Sequence, residues 1–147
     1  MPDYYVLPPA AGDELNVRGS TLLFKAVAAS TGGSFSLPER HVPPGGRRPP
    51  AHVHPDRMEA FWVLDGKAEF ELDGSVIQVG TGSFVLVPGG VAHTFGASTD
   101  IAARLLVLHA PALDGYFREL ADLWADGAQP EREVELDLMR RHGMRPV

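Results

Sequence analysis

The sequence predicts a mainly β protein, a small barrel or sandwich followed by C-terminal α-helices. Three patterns carry that expectation. Short apolar runs recur at near-regular spacing from Thr21 to His109, as they do in barrels and two-layer sandwiches. The 16 glycines and 13 prolines are spread between those runs and form no low-complexity tract, so they read as turns. From Ala112 onward the apolar residues return every three or four positions, the period of a helix.

Residues 1–19 read as an N-terminal strand or arm of the barrel. Strands are expected over 21–28, 34–37, 51–54, 59–64, 68–72, 76–79, 83–87, 93–95 and 101–109. Turns are expected at Leu64-Asp65-Gly66-Lys67, Asp73-Gly74 and Gly80-Thr81-Gly82, where glycine supplies positive φ. Asp73-Gly74 is the clearest hairpin signal, because two residues separate Phe70-Glu71-Leu72 from Ser75-Val76-Ile77. Leu113, Tyr116, Phe117, Leu120, Leu123 and Trp124 then form one apolar stripe on a helix ending near Gly127. A second helix, over 131–141, places Val134, Leu138 and Met139 near one face. The expected division is a barrel over residues 1–111 and a helical extension over 112–147. That extension caps an open end of the barrel or packs at a subunit contact.

Composition removes several classes of function. A chain of 147 residues suits one domain with its own core. Without cysteine there are no disulfides, cysteine zinc fingers or iron–sulfur clusters. The formal net charge of −6, with both signs interspersed, offers no footprint for nucleic acid. No apolar stretch is long enough for a membrane span, and the N-terminus has no basic region leading into an apolar core. A soluble cytoplasmic protein without nucleic-acid or membrane partners is expected.

The functional signal lies in His52, His54, Glu59 and His93. On an extended strand, His52-Val53-His54 sends both imidazoles to one face. Glu59 leads the apolar run Ala60-Phe61-Trp62-Val63-Leu64 and shares its parity with Phe61 and Val63. His93 follows Pro88-Gly89-Gly90 and shares its parity with Phe95. A barrel interior is lined by alternate residues, so all four side chains are expected to meet inside it. Imidazole nitrogens with a carboxylate oxygen suit a borderline divalent cation. Four such ligands leave about two positions open on a six-coordinate ion. His41, His109 and His142 have no partners at ligand spacing and read as ordinary core or surface histidines. Arg47 and Arg48 could meet an anionic substrate at the barrel mouth, but read first as solvated loop charges.

With its glycines, the first cluster runs Gly46, His52, His54, Glu59, Gly66, and the second Gly82, Pro88, Gly90, His93. Together they resemble the two signature motifs of the cupin superfamily, with Ala97 standing where the second motif ends in asparagine. A wider likeness, carried by Thr31-Gly32-Gly33-Ser34-Phe35-Ser36-Leu37, Glu59 to Gly66 and Leu106 to Pro111, is to single-domain bacterial quercetin 2,3-dioxygenase-like cupins. Met58 stands where many of those relatives carry an acidic residue.

The resemblance implies a cupin barrel, a double-stranded β-helix or jelly roll, holding one divalent transition metal per chain: iron, manganese, nickel, cobalt, copper or zinc. It implies His52, His54, Glu59 and His93 as metal ligands, with Glu59 also accepting a substrate proton. The implied activity is dioxygenation of a small aromatic or enolic substrate. A non-redox cyclase or isomerase acting on a polyketide-like substrate, and a small-molecule-binding cupin without turnover, stay open as alternatives. Phe35, Phe61, Val63, Phe70 and Phe95 are the expected apolar wall of the substrate pocket. A homodimer is expected from the same likeness.

Overall fold

A computed structural model describes residues 3–147. Its strands are β1 (Asp13–Val17), β2 (Ser20–Ala26), β3 (Leu37–Val42), β4 (His52–Val53), β5 (Met58–Leu72), β6 (Ser75–Gly80), β7 (Phe84–Val87), β8 (His93–Ala97), β9 (Ala103–Ala110) and β10 (Arg145–Pro146). Its helices are α1 (Ala28–Thr31), α2 (Asp114–Leu123) and α3 (Arg132–Arg141). All pairings between the strands are antiparallel, in the order β1-β2-β3-β9-β5-β8-β4-β10, with β6 and β7 also on β5. No helix among the described residues is long and apolar enough to cross a membrane.

β5 organises the barrel. The turn expected at Leu64-Asp65-Gly66-Lys67 is a bend in one continuous strand. The register against β9 shifts between Val63 and Asp65, a bulge that turns the strand without reversing it. Before the bend β5 pairs with β7 and β9, and after it with β6 and β8. Gly66 makes the corner possible: its φ is +88°, and a Cβ there would lie 1.8 Å from the Ala102 carbonyl oxygen. At Asp73-Gly74 the hairpin forms as expected. Both residues have positive φ, 47° and 83°, as a type I′ turn needs, and Leu72 faces Ser75.

Two strands escaped the sequence pattern, β3 and the two-residue β10, whereas β1 falls within the strand or arm expected over 1–19. β3 is polar and contains Pro38, Glu39, Arg40 and His41. Pairing on both sides, with β2 and β9, outweighs the weak local propensity of β3. Pro38 sits beside the register shift between Phe24 and Ala26, where a missing N–H is tolerated. Of the strand expected over 34–37, only Leu37 belongs to β3; Ser34 and Phe35 are loop, tied to the barrel by Ser36 bridging His109. On α3 the buried face is Glu135, Leu136, Leu138 and Met139, while Val134 faces solvent.

The interior has two apolar clusters. One, inside the barrel, gathers Phe61, Val63, Phe70, Val87, Phe95, Leu105 and Val107. The other packs α2 and α3 onto the N-terminal strands through Val17, Leu22, Phe24, Tyr116, Phe117, Leu120, Leu138 and Met139. The chain's last residues return to the barrel, where β10 pairs with β4 and places Pro146 opposite His52.

Candidate metal centre

Strand register brings the four expected ligands together. His52 on β4 faces His93 on β8, and Glu59 on β5 lies between β7 and β9. His54 follows β4, and its carbonyl accepts the Gly90 N–H at 3.0 Å, tying the loop before His93 to the ligand strand. Their ligating atoms all lie within 4.8 Å of one another, and all four residues are buried.

Backbone contacts set two of the imidazoles. His52 Nδ1 lies 2.7 Å from the Pro50 carbonyl oxygen and His93 Nδ1 lies 2.9 Å from that of Val91. A carbonyl only accepts, so both Nδ1 atoms carry the proton and both Nε2 lone pairs point inward. There, His52 Nε2 is 3.2 Å from His54 Nε2, and Glu59 Oε2 is 3.0 Å from His93 Nε2 and 3.3 Å from His54 Nε2. Lone pairs gathered this closely in a buried place repel unless a cation or protons sit among them. Protons are a poor answer for two of the rings. Burial, with repulsion from His93, pushes His52 down to about 3, and burial also lowers His54. At His93 burial works the same way, but contact with Glu59 outweighs it and raises the pKa, so protons compete with a metal more strongly there than at the other two rings. The donor set therefore fits a divalent transition metal held by three imidazoles and a carboxylate.

A fifth residue completes the cluster. Burial alone would push the Glu59 carboxyl up, yet His109, His54 and His93 hold it well below the usual carboxylate range. Of these, His109 acts most strongly. Its Nε2 lies 3.1 Å from Glu59 Oε1, and the two residues are direct partners across β5 and β9. The expectation of an ordinary histidine is thus corrected for position 109. His109 leaves Glu59 Oε2 facing the three ligand imidazoles and occupies Oε1. The signal was present in parity: Ala103, Leu105, Val107 and His109 form the inward face of β9. The other two histidines sit away from the centre, His41 against Glu39 and His142 against Glu119.

A cavity opens from the ligands toward the helices. It is lined by His52, His54, Glu59 and His109 at one end, by Arg18, Arg40, Pro49 and Phe95, and by Leu113, Tyr116, Phe117 and Met144 as a roof. Its volume is about 20 Å³, room for a water-sized guest as the side chains stand. Roof and barrel are joined by a buried ion pair. Arg18 Nε donates to Glu135 at 2.6 Å, and Arg18 also reaches the Tyr116 hydroxyl at 3.4 Å.

Comparison with known proteins agrees with this geometry. The Cupin domain family matches residues 38–109, the stretch holding all four ligands and His109. A quercetin 2,3-dioxygenase from Bacillus subtilis (strain 168) is 29% identical over 118 residues. The match takes in 80% of this chain but 35% of that protein, so the chain spans about a third of its relative. The chain belongs to the cupin superfamily. Among solved structures, the polyketide cyclase RemF from Streptomyces resistomycificus superposes with a TM-score of 0.64 at 22% identity, covering 74% of this chain and 80% of that one. Ectoine synthase from P. lautus gives a TM-score of 0.60 at 14% identity, covering 95% and 83%.

Within this cupin the expected wall residues are divided. Phe95 lines the cavity. Phe61, Val63 and Phe70 lie deeper, where Phe61 meets Phe70 and Phe95 edge to face with centroids 4.8 Å apart in both pairs. Phe35 is half-buried in the loop before β3 and does not reach the cavity. Sequence parity could say which side chains point inward, but not how far along the barrel axis the metal ligands stop. Arg47 and Arg48 do lie outside the centre. Arg47 stacks over Trp124 and bonds Gln129, and Arg48 pairs with Glu69 at 2.8 Å.

Proposed function

We propose that this cupin is a metal-dependent dioxygenase of a small aromatic or enolic substrate. The observation that carries the reading is the buried three-histidine, one-glutamate cluster opening onto a cavity, and the quercetin 2,3-dioxygenase relative supports it. A bound divalent metal would supply Lewis acidity and positions for oxygen ligands. His52, His54, His93 and Glu59 would hold it.

Glu59 is also the proton acceptor. A carboxylate held well below its usual range keeps a proton weakly, so it suits a substrate whose hydroxyl is already acidic, as in an enol or phenol. His109 keeps the carboxylate oriented while the proton resides on it. Phe95, Tyr116 and Phe117 exclude water and offer aromatic surface to a planar ligand. Phe61, Val63 and Phe70 support Phe95 from behind.

The same groups would serve a non-redox cyclisation, the chemistry named for the structurally similar RemF. Metal analysis of protein from metal-supplemented cells, followed by oxygen uptake with a panel of flavonols and enolic ketones, separates the two. Oxygen consumption with iron, manganese, nickel, cobalt or copper supports the dioxygenase. Bound zinc with substrate turnover and no oxygen consumption transfers the reading to the cyclase, and binding without turnover to a sensor.

The active form is a homodimer. Trp62, Phe84 and Leu86 are exposed on the outer face of β5 and β7, with Trp62 and Phe84 in contact at 6.4 Å between centroids. A cluster of large apolar side chains on a sheet face is a surface suited to a second copy.

A further inference from the structure

We propose that Arg40 forms an anion subsite in the metal cavity, and that the substrate carries a carboxylate in addition to the oxygen directed at the metal ligands. The inference rests on the cavity being a small-molecule site, as above, and deepens that reading by naming the substrate's charge.

Arg40 stands where the fold asks for an apolar residue. On β3 the inward positions are Pro38, Arg40 and Val42, and the cross-strand partners of Arg40 are Leu22 on β2 and Leu105 on β9. Both leucines are fully buried, and Arg40 itself is 4% exposed. Its guanidinium lies over the Phe95 ring, 5.1 Å from the centroid, facing the space shared with His52, His54 and Glu59.

What sets Arg40 apart is that, although buried, it has no carboxylate in contact; Glu59 acts on it only through space. Arg18, in the same cavity, is bonded to the Glu135 carboxylate. Arg48 and Arg104 pair with Glu69 and Glu39, and Arg57 donates to the carbonyls of Pro111 and Ala112. Among the described residues no carboxylate lies within 4 Å of the Arg40 guanidinium, and its buried Nε has no hydrogen-bond partner. Burial, then repulsion from Arg18, lowers Arg40 only to about 10, so the charge persists at neutral pH. A buried cation kept without a partner is costly to a fold, and a cavity is the place where a ligand can supply one.

Charge balance points the same way. With Arg18 neutralised by Glu135, a divalent metal, Glu59 and Arg40 leave the cavity with two excess positive charges. A ligand with one ionised hydroxyl and one carboxylate cancels them. The guanidinium fork matches a carboxylate with two parallel N–H donors. Phe95, under the guanidinium, orients that fork by stacking.

The test uses cobalt-loaded protein and two ligands of nearly equal size, glycolate and glycolamide, followed by the visible absorption of the metal. Wild-type protein is expected to bind glycolate at least about tenfold more tightly than glycolamide. Arg40→Gln and the apolar, similarly sized Arg40→Met are expected to abolish that preference with cobalt content unchanged, and Arg40→Lys to keep part of it. Since a lone buried charge is removed, at least one of the first two variants should fold; melting temperature and cobalt content identify which is usable. A wild-type preference below about twofold overturns the proposal, as does a preference that survives in the folded Gln or Met variant, because the carboxylate would then be read by the metal alone. The readout is binding, so a site that consumes no oxygen overturns the dioxygenase reading and leaves this one standing, whereas a wild-type protein that consumes oxygen but shows no carboxylate preference does the reverse.

Discussion

His109→Phe tests how far the centre depends on a residue that is not itself a ligand. The substitution keeps an aromatic ring where His109 already packs on Phe117, with centroids 5.4 Å apart, and removes both ring nitrogens: Nε2, 3.1 Å from Glu59 Oε1, and Nδ1, which has no hydrogen-bond partner. Losing the partner that orients a metal ligand costs about 10–100-fold in affinity. That corresponds to about 1.4–2.8 kcal/mol. The effect should grow as the pH falls. Once the strongest influence lowering the Glu59 pKa is gone, burial raises it, and protons compete with the metal at a higher pH than in wild type. Competition with a chromogenic chelator, run at pH 5.5 and 7.5, should therefore show a larger deficit at the lower value. Wild-type affinity at both pH values, in a variant with native circular dichroism, would refute the argument and return His109 to a packing role.

Three further outcomes follow from the same contacts. Chelator-treated protein should lose stability on acidification: His52 titrates near 3 when folded and near 6.5 when unfolded, so below pH 6.5 only the unfolded chain takes its proton. From pH 6.5 to 5 that one ring costs about 2 kcal/mol, with His54 adding in the same direction and His93 opposing; urea midpoints that stay level or rise on acidification would contradict this. Arg18→Met should destabilise by about 3–5 kcal/mol because Glu135 is left charged and buried, whereas Arg18→Met with Glu135→Leu should recover most of the loss in the same urea assay. Trp62→Glu with Phe84→Glu should give a monomer by light scattering while metal content is retained, and an unchanged mass would remove that face from the dimer interface.

Readability from sequence followed the strength of local pattern. His52, His54, Glu59 and His93 were legible because ligand spacing and period-2 alternation are both short-range, and both point inward on any strand. The Asp73-Gly74 hairpin was legible for the same reason. β3 was not, since its six residues include a proline and three polar side chains and the strand exists through its neighbours. Arg40 was hidden with it: an inward arginine looks like a surface residue until its strand is placed between two others. His109 failed differently. Its strand was assigned and its parity was visible, but its partner is Glu59, fifty residues earlier, and no spacing rule spans a cross-strand pair. The roof residues Tyr116 and Phe117 read correctly as a helical apolar stripe, although the stripe alone could not show that part of it faces a metal centre.

The division of labour in the cavity bears on substrate size. His52, Glu59, His93, His109, Arg40 and Phe95 come from paired strands and His54 from the residue after β4, whereas Leu113, Tyr116, Phe117 and Met144 come from the chain's last third. With a cavity volume of about 20 Å³, a planar ring can enter only if those roof side chains give way. The deeper Phe61 and Phe70 have no such freedom, being locked edge to face inside the barrel. The roof is tied at several points: Ala28 N–H donates to Asp114 at 2.8 Å, Leu113 N–H to Ser36 Oγ at 2.9 Å, and the buried Arg18–Glu135 pair holds α3. β10 adds a tie to the strand that carries His52, so displacement of Met144 pulls on the candidate metal centre. Changes at Tyr116, Phe117 or Met144 should accordingly alter which substrate is accepted, whereas changes at Phe61 or Phe70 should alter whether the barrel stands.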